Sequence, residues 1–164
     1  MTKPAAHTPA PAPITIYVDA DACPVKEEIY KVALRHTVPV IIVSNSPFRI
    51  PDSALISRVV VNDSFDAADD WIEERASPAA IVITADILLA ERCVKADAAV
   101  LAHNGKPFTK DSIGSAIATR AIMADLRSGM NAGDGIGGPP PFTKQDRSAF
   151  LQSLDQVLVK LARR

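Results

Sequence analysis

Short apolar runs alternate along this chain with longer stretches whose apolar positions recur every three to four residues. Ile14-Thr15-Ile16-Tyr17-Val18-Asp19, rich in β-branched and aromatic side chains, reads as a buried strand. A helix follows from about Pro24 to His36, with Val25, Ile29, Val32 and Ala33 on one face. Val38 to Val43 is a second strand, closed by the turn cluster Ser44-Asn45-Ser46-Pro47. Residues 48–57 read as a loop, because Pro51 blocks regular pairing, and Arg58 to Val61 as a third strand. A second helix opens near Asp66 and carries Ala67, Trp71, Ile72 and Ala76. Ala80 to Thr84 is continuously apolar up to its last residue, as a strand covered on both faces should be. Then come a helix over Ile87 to Lys95 and a fifth strand over Ala98 to Leu101.

Beyond that point the signals change. Asn104-Gly105 favours a tight hairpin turn. A fourth helix starts near Asp111 and runs through Ile113, Ile117, Ile122 and Leu126 to Arg127. Residues 128–141 are rich in Gly and Pro and have no period. A last helix starts after Thr143, with Asp146 placed three positions on for a capping box and a stripe of Phe150, Leu151, Leu154, Val157, Leu158 and Leu161.

Strands alternating with helices imply parallel pairing through right-handed crossovers. The expected fold class is α/β: a three-layer α/β/α domain over residues 14–164, with a mostly parallel five-stranded sheet in the order 3-2-1-4-5. That order places the switch point between strands 1 and 4, where open α/β sheets bind ligands. Residues 1–13, rich in Pro and Ala, are expected to form a disordered tail.

Composition narrows the function classes. Two cysteines in 164 residues build neither a disulfide framework nor a zinc cluster, which suits a reducing cytoplasm. No apolar run reaches the roughly 20 residues that span a bilayer, so no membrane partner is expected. The net charge of −1 excludes a global nucleic-acid footprint, but its distribution is uneven. Residues 14–102 carry 14 acids against 8 bases, and residues 103–164 carry 9 bases against 5 acids.

The acids gather at strand ends. Asp19 and Asp21 close the first strand, Asp86 follows the fourth, and Asp63, Asp66, Asp69 and Asp70 surround the start of the second helix. Three or four carboxylates in one crevice would repel one another unless a cation compensated. Mg²⁺ or Mn²⁺ suits oxygen ligands, and such ions polarise phosphoryl oxygens and activate water. Asp19, Asp21 and Asp86 are therefore the candidate catalytic residues. Asp19 and Asp86 are expected as direct metal ligands, and Asp21 and Asp69 as ligands bound directly or through water. Asp66 suits a plain N-cap, and Asp63 and Asp70 suit a solvated surface.

Arg120, Arg127 and Arg147 flank the Gly/Pro stretch and could clamp phosphate oxygens; a solvated helix face is the alternative. Cys23 at a helix start reads as structural, Thr84 as a support for Asp86, and Ser44 as a turn residue. Aromatic content of 5% disfavours a stacking platform for single strands.

Four segments carry a resemblance to a known family. They are Val18-Asp19-Ala20-Asp21-Ala22-Cys23-Pro24, Phe65-Asp66-Ala67-Ala68-Asp69, residues 82–90 around Thr84-Ala85-Asp86, and Gly137-Gly138-Pro139 with Asp146-Arg147. Together they resemble the YaiI/YqxD family of bacterial proteins over residues 14 to about 160. The resemblance implies a bacterial source and a PIN-like fold. PIN-like domains are typically Mg²⁺- or Mn²⁺-dependent nucleases. By that likeness Asp19 matches the strand 1 acid, Asp86 the acid after strand 4, and Asp66 or Asp69 the intermediate one. Asp97 is the candidate for the fourth, and Asp21 is an additional acid. The expected activity is metal-dependent hydrolysis of RNA or another phosphodiester. Two alternatives stand beside it. One is a phosphatase resembling the haloacid dehalogenases, with Asp19 as nucleophile and Asp21 as general acid. The other is a non-catalytic nucleic-acid-binding domain.

Overall fold

In a computed structural model of the chain, described over residues 13–64, 66–128 and 141–163, eleven elements alternate as the pattern implies. They are β1 (Thr15–Asp19), α1 (Lys26–His36), β2 (Val40–Ser44), β3 (Ile56–Val60), α2 (Ala67–Arg75), β4 (Ala80–Ile83), α3 (Ile87–Lys95), β5 (Ala99–Leu101), β6 (Pro107–Phe108), α4 (Lys110–Ser128) and α5 (Lys144–Ala162). One sheet runs β3-β2-β1-β4-β5-β6. The first five strands are parallel in the expected order, and β6 adds an antiparallel edge. That sixth strand departs from the five expected. Asn104-Gly105 turns the chain back as its composition implies, and the chain then pairs Val100 with Phe108. Two residues are too short to leave a periodic trace. The expected tail and the core of the Gly/Pro stretch lie outside the described residues.

β1 and β4 occupy the centre, and their side chains show why. Ile16, Val18, Ile81, Val82 and Ile83 are all fully buried, so each central strand meets an apolar layer on both faces. On one face Ile16, Val18, Ile42, Ile81 and Ile83 pack with Ile29, Val32 and Ala33 of α1 and Phe150, Leu154 and Leu158 of α5. On the other, Val43, Val82 and Val100 pack with Ile72 of α2, Leu89, Ala90 and Cys93 of α3 and Ile113 of α4. α5 starts at the Thr143–Asp146 capping box, each side chain bonded to the other's backbone N–H at 2.9–3.1 Å.

Two elements differ from their sequence patterns. β3 begins two residues early, at Ile56, and is largely exposed as an edge strand. α4 buries only the first part of its stripe: Ile113 is inside and Ile117 is partly covered, but Ile122 and Leu126 face solvent. No described helix is long and apolar enough to cross a membrane.

Because β1 leads through α1 to β2 on one side, while α2 carries the chain from β3 back to β4, the sheet parts beside the carboxyl ends of β1 and β4. α2 packs over β1 and β2 on its way, which brings its N-terminal acids to that opening.

Candidate functional site at the switch point

A crevice of about 1010 Å³ opens there, and five carboxylates line it: Asp19, Asp21, Asp66, Asp69 and Asp86. Asp19 ends β1, a strand at the centre of the sheet, so its carboxyl is largely removed from water. That burial pushes its pKa up, against the pull of two hydrogen bonds; the charges of Asp21 and Asp86 push it up further. The two bonds orient the carboxylate. Thr84 Oγ1 donates to Oδ2 at 2.9 Å, and the Asp21 N–H reaches Oδ1 at 3.3 Å.

Thr84 is the polar residue buried inside the fold at this point, with no exposed surface. Its hydroxyl also accepts the Asp86 N–H at 3.0 Å. One side chain thus ties the end of β1 to the start of α3. Its support goes to the backbone of Asp86 and to the carboxylate of Asp19. Asp86 itself is the N-cap of α3: its Oδ1 accepts from the N–H groups of Leu88 at 2.9 Å and Leu89 at 3.3 Å. That capping role was not read from the sequence, although an Asp directly before an apolar helical stripe is a cap signal.

Asp66 stands at the N-cap position of α2, yet its side chain makes no capping bond and lines the crevice instead. Asp69, one turn on, has its carboxyl pushed up to about 6 by partial burial and by the charges of Asp86 and Asp19, with Arg92 pulling the other way. Asp63 does not line the crevice. Asp70 is held from α3, where the Arg92 guanidinium binds both Asp70 and Glu73 and so laces α2 to α3. Asp97, at the opposite end of β5, pairs with Lys110 at 2.8 Å.

The acids share one crevice and feel one another's charge. Among the described residues, however, no three Asp, Glu, His or Cys groups stand close enough to form a ready-made metal cage. The tight convergence of three or four carboxylates expected from the sequence is therefore looser in the structure. The donor chemistry fits a hard, water-rich ion such as Mg²⁺, which takes one or two carboxylates and keeps its waters, better than an ion that needs a full protein cage.

The three arginines separate. Arg120, exposed on α4, lines the crevice and has no ion-pair partner among the described residues. Arg127 belongs to α4, but its side chain lies outside the described residues. Arg147 is engaged elsewhere: it donates to the Pro24 carbonyl and to Glu28 Oε1 at 3.0 Å, and stands over the Phe142 ring, pinning α5 to the start of α1. Cys23 is half-buried, and burial pushes its thiol up to about 11, which keeps it protonated.

Sequence reasoning missed much of the crevice wall. Lys26, Asn45, Ser46, Phe48, Asn62 and Ser64 line its β2–β3 side. His103, which follows β5 as Asp86 follows β4, lines the other; its buried Nε2 has no hydrogen-bond partner among the described residues, and burial lowers its pKa. Position relative to strand ends was the signal that could have found most of them.

The family model described as "Uncharacterized BCR, YaiI/YqxD family" matches residues 17–160. A UPF0178 protein of Sphingopyxis alaskensis is 68% identical over 152 residues, covering 93% of this chain and 97% of its own length. Similar proteins of the same designation come from Azorhizobium caulinodans, 59% identical over 93% of this chain and 94% of its own, and Bradyrhizobium diazoefficiens, 57% identical over 93% and 89%. No solved structure matches. A match that runs from β1 through most of α5, and so takes in every crevice acid, shows that this chain belongs to the YaiI/YqxD family of bacterial proteins.

Proposed function

We propose that the crevice hydrolyses phosphodiesters with the help of a divalent ion, Mg²⁺ or Mn²⁺, and that RNA is its substrate. The observation that carries this reading is the set of five carboxylates at the switch point, of which Asp19 and Asp69 are pushed up partly by the others' charges. Such a set is costly for the fold and is retained most readily where a cation is to be held. Asp19 and Asp86 would hold the ion, with Asp21 and Asp69 completing its surroundings directly or through water. When bound, the ion supplies charge neutralisation at the phosphoryl oxygens and a lowered pKa for water.

The chain's own residues supply the rest. Thr84 fixes one Asp19 oxygen, and the α3 cap fixes one Asp86 oxygen, so each acid presents its remaining lone pairs in a set direction. Arg120, with no carboxylate partner among the described residues, would hold a phosphate of the bound strand. Arg147 is assigned no part in this, since α1 occupies it. The PIN-like likeness supports the same chemistry through the position of Asp19 and Asp86.

The test is cleavage of generic RNA and DNA with Mn²⁺, alongside Asp19→Asn and Asp86→Asn. The expected result is metal-dependent scission of RNA, reduced at least a hundredfold by either substitution. Equal background from wild type and variants refutes it. Turnover of an aryl phosphate monoester that depends on Asp19, without scission of RNA, would replace it with the phosphatase reading.

A further inference from the structure

The acids occupy only part of the crevice. Its other wall is neutral or basic, and it is built on the ends of β2 and β3. Asn45 follows β2 and Asn62 follows β3, brought together because Ser44 pairs with Val60 and the Val61 N–H bonds to the Ser44 carbonyl at 2.8 Å. Phe48 lies beside them. It is partly buried against the core and also lines the crevice. Two bonds hold this wall in place. Arg58 donates to the Phe48 carbonyl, and Ser44 Oγ accepts the Ser46 N–H at 3.1 Å. The Lys26 ammonium stands 5.3 Å from the ring centroid and has no carboxylate partner among the described residues.

We propose that this wall is a nucleobase subsite, which takes the base of a nucleotide whose phosphate lies toward the acids. The inference rests on the phosphodiesterase reading for its direction and names what that site would recognise. Phe48 offers the stacking surface. Asn45, without a side-chain partner among the described residues, and the amide N–H groups of Asn62, whose Oδ1 is taken by the Ser64 N–H at 3.0 Å, offer donors and an acceptor to a base edge. Asparagine matches the adjacent donor and acceptor of adenine best. The ammonium stands 5.3 Å from the centroid of a half-buried ring and has no carboxylate to hold it among the described residues, so a phosphate can draw Lys26 off the ring while the base takes its place. Spacing supports this arrangement. β2 and β3 stand about 5 and about 10 Å from β1, the range over which a nucleotide separates its phosphate from its base. A bare metal-binding crevice has no use for an aromatic ring and two amides on the wall facing its acids.

Binding without chemistry tests it. The full chain in chelator is titrated with adenosine and with ribose, both neutral and so not repelled by the acids, and followed by calorimetry and saturation-transfer NMR. Adenosine should bind at least tenfold tighter than ribose. Phe48→Leu should weaken adenosine about tenfold, the loss expected when one base loses its aromatic partner. Asn45→Ala, on an exposed turn that the fold does not depend on, should weaken it several-fold. A single-stranded oligoadenylate should compete with adenosine and lose affinity in Lys26→Gln. Equal binding of adenosine and ribose, or unchanged adenosine binding in both Phe48→Leu and Asn45→Ala, overturns the subsite. RNA scission that persists with no base-dependent affinity removes the subsite and keeps the phosphodiesterase. Base-dependent affinity with no scission of any nucleic acid does the reverse.

Discussion

Replacing Asp69 by asparagine should make the protein more stable, and only above a definite pH. In the unfolded chain this carboxyl ionises near 3.8; in the folded one it ionises near 6, because burial and the Asp86 and Asp19 charges oppose its ionisation. Between those values the folded state holds the extra proton. Stability therefore falls as pH rises through the window, and the penalty is complete above pH 6. The difference corresponds to about 3 kcal/mol if taken at face value. Asp69 keeps much of its contact with water, and screening brings the effect down to about 1 kcal/mol. Asp69→Asn removes the charge while keeping the shape. The variant should melt about 2–4 °C above wild type at pH 8 in chelator, and no higher at pH 4. Thermal unfolding at half-unit steps from pH 4 to 8 reads this out. Millimolar Mg²⁺ at pH 8 should narrow the gap, since it stabilises the chain with more carboxylates to bind it. A gain of equal size at pH 4 and pH 8, or no gain at pH 8, would refute the claim that these acids strain the fold.

Other substitutions probe the frame around the site. Thr84→Val removes a charge-assisted bond to Asp19 and strands the Asp86 N–H, and should cost about 3 kcal/mol in urea unfolding, with Thr84→Ser restoring most of it. Gly105→Ala should cost about 2–4 kcal/mol: φ is +86°, and a Cβ would stand 2.7 Å from the Ala149 carbonyl oxygen and 2.8 Å from Ser153 Oγ. A loss below 1 kcal/mol would mean that the hairpin is free to move away from α5.

The sheet was legible because its central strands are apolar without interruption and its helices carry full stripes. Val18-Asp19-Ala20-Asp21 and Ile83-Thr84-Ala85-Asp86 announce strands that stop at acids, so the switch point and the three carboxylates of these segments could be read directly. β6 could not, because two residues carry no period, and neither could the early start of β3, whose edge position relaxes the need for apolar residues. The outer half of α4 misled for a different reason. Ile122 and Leu126 keep the helical spacing of a buried stripe, but no described element covers them, since α4 packs chiefly on α3. At the site, charge was visible and neutrality was not. Asn45, Phe48 and Asn62 are ordinary loop residues until pairing of β2 with β3 sets them on one wall. Arg147 looked like a free phosphate clamp because its partners, Pro24 and Glu28, are about 120 positions away in the chain.

The lacing of α2 to α3 by Arg92 has a mechanical meaning. With Asp70 and Glu73 both tied to a residue of α3, the two helices travel together, and so do Asp69 and Asp86. Asp19, on β1, belongs to the rigid body of the sheet. Thr84, bonded to the Asp19 carboxylate and to the Asp86 N–H, in turn fastens this helical pair to the end of β1, so acids contributed by three separate elements are carried on one common frame.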